Sequence, residues 1–322
     1  MMIRPHLPAL CAAILVAATS AASAQAWPTK PIRVVVPYAA GGPADVIARL
    51  VAKKAGDTLG QTIIVDNKGG AGGTIGIDAA LKSAPDGYTF ALTAQGPLAG
   101  MPNLMKAPYA IADIQYLTLV ARGPAVVAVS KNVPANTLAD LVKLAKAQPG
   151  KLNYGSAGPG TTPHIAGELL KQEAGIEMTH VPYKGAGPAV TGLLGGEIDV
   201  AVVDLLNVLP HVAAGNLKVL AVASPSRAPQ LPNVPTTKEA GLPNLVMDTT
   251  YGVIAPPGVP ADVQAKFREA IVGAVQSADL KEQMNKLGVV PLTTTAQDYK
   301  AAILTESDKW KRVISTAKIK LE

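Results

Sequence analysis

The chain reads as an α/β protein of two lobes with a cleft between them, built on mixed, mostly parallel sheets. Three observations predict this. Short β-branched runs alternate with amphipathic helical stretches over nearly all of the 322 residues. Two glycine-rich turns, at 37–45 and 155–162, each join such a run to such a helix. The alternation breaks twice, at 122–124 and near 248–252, so the chain crosses between lobes twice, as hinge-closing proteins do.

The elements follow in order. Residues 32–36 form a β-branched strand, and Val46, Ile47, Leu50 and Val51 recur at helical spacing up to Leu59. A strand at 63–65 ends in Asn67-Lys68-Gly69-Gly70-Ala71-Gly72-Gly73, glycines that let the chain turn beneath the cleft. A helix over 74–81 and a strand over 88–93 come next. Strand-like runs at 117–121 and 126–130 flank Arg122-Gly123-Pro124, the first candidate hinge. Beyond it, Thr137 and Asp140 have capping-box spacing before a helix to 147, with Asp in place of Glu. Strands at 152–155, 178–181, 198–203 and 217–223 then alternate with helices at 161–174, 188–195 and 208–214. Turns fill 225–243, and the C-terminal third is helical over 261–278, 280–287 and 296–317, with Thr295 as a cap. These last helices are expected to pack on the first lobe. The lobes are 25–123 plus 249–322, and 124–248.

Residues 1–24 read as an export signal. Arg4 precedes an apolar run over 7–18, and Ala22-Ser23-Ala24 is a small-x-small site, so cleavage after Ala24 or Ala26 fits. The run is shorter than the roughly 20 residues that span a bilayer. Cys11 lies inside this segment and is the only cysteine, so the exported chain would hold no disulfide and no thiolate. This usage suits the periplasm and a chain large enough to bury its own core. The net charge of +6 is dispersed, and aromatic residues make up only 4%. That argues against nucleic acid, and a mild positive bias favours an anionic solute.

Chemistry concentrates in the two turns. In the first, Pro37 ends a strand, Gly41-Gly42 allow an unusual backbone path, and Asp45 is expected to cap the helix that follows. The remaining amides of Tyr38, Ala39, Ala40, Gly41 and Gly42 then face an outside anion. In the second, Gly158 and Gly160 open the turn around Ala157, and Ser156, Thr161 and Thr162 add hydroxyl donors. A helix start contributes roughly 0.3–1 kcal/mol toward an anion, and hydrogen bonds to a charged group about 1.5–3 kcal/mol each. Two converging turns can therefore reach the roughly 8 kcal/mol of micromolar binding without an arginine. The competing reading is that each glycine pair only makes a tight turn. Lys184, in Pro182-Tyr183-Lys184-Gly185, admits a ligand carboxylate or an ion pair as its partner, and Tyr183 stacks on or hydrogen-bonds the ligand. Asp204 either binds an amino or hydroxyl group of the solute or caps a helix. Thr93 and Gln95, at and beyond a strand end, complete the candidate set. His164, His180 and His211 lack metal-ligand spacing, and packing or capping is the plainer role for His164. Ser156 lies outside a G-x-S-x-G elbow, and no phosphate-loop or dinucleotide motif occurs. Catalytic residues, metal and cofactor are therefore all expected to be absent.

These residues carry a resemblance. The stretches Val36-Pro37-Tyr38-Ala39-Ala40-Gly41-Gly42, with Asp45, Ala48 and Arg49 after them, Asn67 to Gly73, Pro85-Asp86-Gly87-Tyr88, Leu152 to Thr161, His180 to Gly185, and Val234-Pro235-Thr236 with Glu239-Ala240-Gly241 resemble the substrate-binding proteins of tripartite tricarboxylate transporters, the Bug family. The likeness runs from about Trp27 to the C-terminus. It implies a type II periplasmic-binding-protein fold that captures a small organic acid for membrane permease subunits, with the carboxylate held by backbone amides and waters. Four positions depart from the family pattern, several of them expected near the implied cleft. Ala44 replaces a Ser or Thr, the segment 94–102 lacks an Asn-Pro pair, Thr191-Gly192 stands for Asp-Leu, and 248–251 lacks a Trp. They point to a larger, less polar acid such as an aromatic carboxylate, beside di- or tricarboxylates and amino acids. The expected protein is a monomeric, non-catalytic solute receptor. A ligand sensor docking on a sensor kinase is the alternative that the sequence leaves open.

Overall fold

Both wings of the molecule are parallel sheets, and the strands between them are antiparallel. The computed structural model describes residues 27–316 and residue 319; the predicted export signal lies outside the described residues. In the first wing, β1 (Ile32–Val36) runs parallel to β2 (Ile63–Asn67) and to β3 (Thr89–Ala94). Helices cover both faces, so β1 and β3 are almost wholly buried and read as continuous apolar runs. Helix α1 (Pro43–Leu59) turns Ile47, Val51 and Ala55 inward and stops at Gly60, whose φ of 66° suits a residue without Cβ. Helix α2 (Thr74–Leu81) lies beyond a short 3₁₀ turn at Ala71–Gly73.

In the second wing, β5 (Asn153–Ser156) runs parallel to β6 (Thr179–Pro182) and to β7 (Val200–Asp204). Helices α4 (Leu138–Ala147), α5 (Thr162–Ala174), α6 (Ala186–Gly195) and α7 (Leu205–Ala213) belong to it, and the Thr137–Asp140 capping box is formed as the spacing predicts.

The two wings are joined by β4 (Gln115–Ser130) and β9 (Asp248–Ala255), giving the strand order β2-β1-β3-β9-β4-β7-β5-β6. Here the sequence reading needs correction. The expected break at Arg122-Gly123-Pro124 is absent, and β4 is one strand of 16 residues. It pairs with β9 as far as Pro124↔Asp248 and with β7 from Ala125↔Asp204. Pro124, which has no N–H to give, thus falls where the partner strand changes. β8 (Leu217–Val222) and β10 (Val290–Pro291) also pair with β4, and β10 was not foreseen.

Segment 94–105 is likewise not a plain loop. It makes a π-helical turn at Gly96–Gly100 and a short helix α3 (Met101–Leu104). Helices α8 (Ala261–Gln276) and α9 (Ala278–Lys286) pack on the first wing, where Phe267 stacks on Phe90 with centroids 3.8 Å apart. The last helix, α10 (Ala296–Thr316), starts at Thr295, whose hydroxyl accepts the Asp298 N–H at 3.0 Å. Its Tyr299 and Ile303 pack in the first wing, but its Trp310 and Ile314 pack with the core of the second. No helix among the described residues is long and apolar enough to cross a membrane.

Candidate solute-binding cleft

A chamber of about 460 Å³, mouth included, opens between the wings over the central strands. Its first wall is the turn after β1 and the end of β3, with Tyr38, Ala39, Gly42, Pro43, Ala44 and Ala94. Opposite stand Ala157, Thr161, Thr162, Pro163 and Ala186 of the second wing. Asp204, Thr249 and Tyr251, at the ends of β7 and β9, form the floor.

Both walls present the start of a helix. The N-cap of α1 is Gly42 and that of α5 is Thr161, and neither start has a side-chain cap. Free N–H groups and the positive dipole end remain there for a ligand. Asp45 is not the cap that its position suggested. It is the third residue of α1 and reaches back, its Oδ2 accepting the Gly41 N–H at 2.9 Å and Arg49 Nε at 3.0 Å. Arg49 donates on to Asn67, and Asn67 to the Tyr38 carbonyl at 3.1 Å. Burial disfavours the Asp45 charge, but Arg49 and the Gly41 amide outweigh it and hold the carboxyl below its usual range.

A different brace holds the second turn. The Gly160 N–H donates to His164 Nδ1 at 3.0 Å, which places the ring proton of His164 on Nε2. His164 stacks on His180, centroids 4.1 Å apart, and His180 Nε2 lies 2.7 Å from Ser156 Oγ. Ser156 Oγ in turn accepts the Gly158 N–H at 3.1 Å. Burial, then the neighbouring His180 and Lys171, push the His164 pKa down to about 3. The hydroxyl–imidazole pair Ser156–His180 escaped the sequence reading. It follows from the parallel pairing of β5 with β6, which sets Tyr154 opposite His180. Neither Ser156 nor His180 lines the chamber, so the pair supports the turn from behind.

The predicted residues therefore divide. Tyr38, Ala39, Gly42, Ala157, Thr161, Thr162 and Asp204 come together at the chamber. Thr93 lies buried beneath it, hydrogen-bonded toward Tyr38. Gly158, Tyr183 and Lys184 line an adjoining groove against Gly70 to Gly73. Lys184 is exposed there and makes no ion pair among the described residues. Ala40 and Gly41 face a separate outer groove with Thr191 and Glu197. Gln95 does not reach the chamber: it binds the Asp248 carbonyl and the Thr250 N–H, beside Arg122 and Lys309. Gly160 is covered by Met101, and Asp45 and Ser156 are braces. Thr249 and Tyr251 were missed as lining residues, although 248–251 stood out as a departure; so were Pro43, Pro163 and Ala186.

Two features of the lining bear on what it can hold. The Thr162 hydroxyl is buried with no hydrogen-bond partner among the described residues. Asp204 sits at the N-cap of α7 without capping it. Its Oδ1 accepts the Thr249 hydroxyl at 2.6 Å and its Oδ2 the Tyr251 hydroxyl. Burial pushes its pKa up to about 7, against the pull of those two hydrogen bonds, and the charge of Asp248 adds to the rise. Burial likewise keeps the Tyr38 and Tyr251 phenols neutral donors. No group of three or more metal-ligating side chains occurs among the described residues.

Two wings on a shared antiparallel centre, with open helix starts facing one chamber, define a periplasmic-type solute-binding protein. Comparison with known proteins narrows the class. The chain belongs to the tripartite tricarboxylate transporter family receptors, whose family model matches residues 47–319. It is 35% identical to protein BugT of Bordetella pertussis over 303 residues, 93% of each chain. A solved periplasmic transporter shares 38% identity at a TM-score of 0.89, covering 92% of this chain and all of the other. A Rhodopseudomonas palustris protein solved with adipate shares 32% identity at a TM-score of 0.88, over 91% of this chain and 99% of its own.

Proposed function

We propose that this protein captures a small organic carboxylate in the periplasm and delivers it, unchanged, to the membrane subunits of a tripartite tricarboxylate-type permease. The observation that carries this reading is the pair of open helix starts on one chamber, together with a buried Thr162 hydroxyl that has no partner of its own. A carboxylate accepts from all three at once. Adipate in a relative of the same fold supports the ligand class. In this reading Tyr38, Ala39, Gly42, Ala157, Thr161, Thr162 and Asp204 touch the solute, and Lys184 draws anions toward the mouth. The lobes are 25–123 plus 249–322, and 124–248; they hinge at β4 and β9, and the protein works as a monomer.

A thermal-shift screen of protein refolded free of ligand, against mono-, di- and tricarboxylates, amino acids and aromatic acids, tests the reading. An acid at a hundred times its Kd stabilises by ~2.7 kcal/mol. No shift with any acid would overturn carboxylate capture. Thr162→Val sharpens the result. Removing an unsatisfied buried hydroxyl should raise the stability of the empty protein by about 1 kcal/mol. The same change should weaken binding of the acid that shifts the wild type about tenfold, or ~1.4 kcal/mol.

A further inference from the structure

We propose that Asp204 sets the ligand class of this cleft: it selects acids carrying an ammonium group at the end remote from the captured carboxylate, and disfavours dicarboxylates. The inference rests on the carboxylate-capture reading above and deepens it. Among the described residues, Asp204 is the one charged side chain lining the chamber, and no Lys, Arg or His lines it. The helix starts on the two walls serve one carboxylate. A second carboxylate, lying toward the floor, would meet Asp204 with no cation to offset the repulsion.

The position of Asp204 is built rather than incidental. Gly123 of β4 gives it room, since a Cβ there would stand 2.9 Å from Oδ2. Thr249 and Tyr251 each donate to one of its oxygens. A carboxylate has about four acceptor positions, so two remain for a ligand that lines the same chamber. An ammonium group fills them and supplies the missing countercharge. The titratable groups packed around this site are Tyr251 and Asp248 on β9, Tyr38 after β1, and Arg122 on β4. Arg122 is committed to Asp248 at 3.4 Å, and both tyrosines stay neutral. Burial raises the Asp248 pKa too, but that carboxyl is held by Ser224 and Arg122 and does not line the chamber, so Asp204 is the titratable carboxyl that a ligand meets. An ammonium acid stabilises the carboxylate form and releases a proton below neutral pH, so its affinity rises from pH 6 to pH 8. A dicarboxylate requires the protonated form, takes up a proton, and binds more weakly as pH rises.

Calorimetry on the full mature protein separates the two with acids matched in length: succinate against β-alanine, glutarate against γ-aminobutyrate, and adipate against δ-aminovalerate. Each is titrated at pH 6 and pH 8, in two buffers of different ionisation heat, into wild type and Asp204→Asn. The expected result is at least a tenfold preference for the ammonium member of a pair at pH 8, proton release at pH 6, and loss of that preference in D204N. Tighter binding of the dicarboxylates with proton uptake, or an unchanged preference in D204N, overturns the assignment while leaving carboxylate capture intact. Failure of all six acids to bind either protein overturns capture and the assignment together. The proton count on wild type decides the question even where D204N does not fold.

Discussion

The first and second turns each present an uncapped helix start to the chamber and are held by unlike means. The turn after β1 is held by charge. Asp45 clamps the Gly41 amide, Arg49 completes the clamp from a half-exposed position, and Asn67 carries it on to the Tyr38 carbonyl. Behind the turn after β5 stands a buried, neutral network in which a histidine nitrogen holds the Gly160 amide and a serine holds that of Gly158. One geometric requirement, an open helix start facing the chamber, thus has two solutions with opposite sensitivities. The charged brace feels salt and tolerates acid down to the carboxylate range. The neutral brace ignores salt and fails when its imidazole is protonated.

Breaking the second brace has the largest expected effect. His164→Leu keeps an apolar body of similar size but leaves the buried Gly160 N–H without an acceptor, which costs about 1–3 kcal/mol. The lost stacking on His180 adds to it, so a total near 3 kcal/mol is expected in urea denaturation. Ligand affinity should fall with it, because Gly160 immediately precedes the cap of α5. Stability unchanged within 0.5 kcal/mol would mean that the hydrogen bond to His164 contributes nothing.

The next contrast is in pH. His164 has a folded pKa of about 3, below its ordinary value of 6.5. A base with a depressed pKa lends stability above its unfolded value, and this is lost as pH falls from 6.5 toward 3, by up to about 1.4 kcal/mol per unit. Asp204 acts with the opposite sign. Its pKa is raised from 3.8 to about 7, so its contribution declines as pH rises through that interval. The two contributions oppose each other between pH 4 and 6. His164→Leu removes the histidine's share and leaves every other slope in place, so the stability difference between variant and wild type should shrink steadily as pH falls across that window. A difference that stays constant would show that His164 does not titrate below its usual value.

This comparison also marks how far the sequence could be read. The two turns, their glycines and the strand–helix alternation were legible because local backbone demands leave local signatures. Gly41, Gly158 and Gly160 do adopt positive φ. What was not legible depends on partners distant in sequence. Asp45 looked like a helix cap because residue type and position fit one, yet Arg49 and the Gly41 amide draw it backward. Ser156 and His180 are 24 residues apart and meet only through the register of β5 and β6. Gln95 follows a strand that points at the cleft, but its amide turns to the Asp248 carbonyl, and the chamber is left to Ala94. The Arg122-Gly123-Pro124 break misled for the same reason. A proline and a glycine punctuate a strand only if they interrupt its ladder, and here they stand where β4 exchanges one partner for another.

The smallest effect tests the charged brace from its outer end. Arg49→Ala removes a guanidinium that is about half exposed, its side chain 54% accessible against 5% for Asp45. Exposed ion pairs are worth 0.2–1 kcal/mol; Arg49 is screened by solvent but Asp45 is buried, so the loss is expected at the upper end, about 1 kcal/mol. The Gly41 N–H still holds Asp45 in the variant, so the turn should keep its shape and the ligand its affinity within about twofold. Added salt supplies the sharper reading. At 1 M ionic strength the Debye length shrinks to about 3 Å, and the wild type should lose part of its advantage over the variant. The difference between wild type and His164→Leu should not move under the same salt. Were Arg49→Ala to cost as much as His164→Leu, or the histidine variant to prove as salt-sensitive, the distinction between a charged and a neutral brace would collapse.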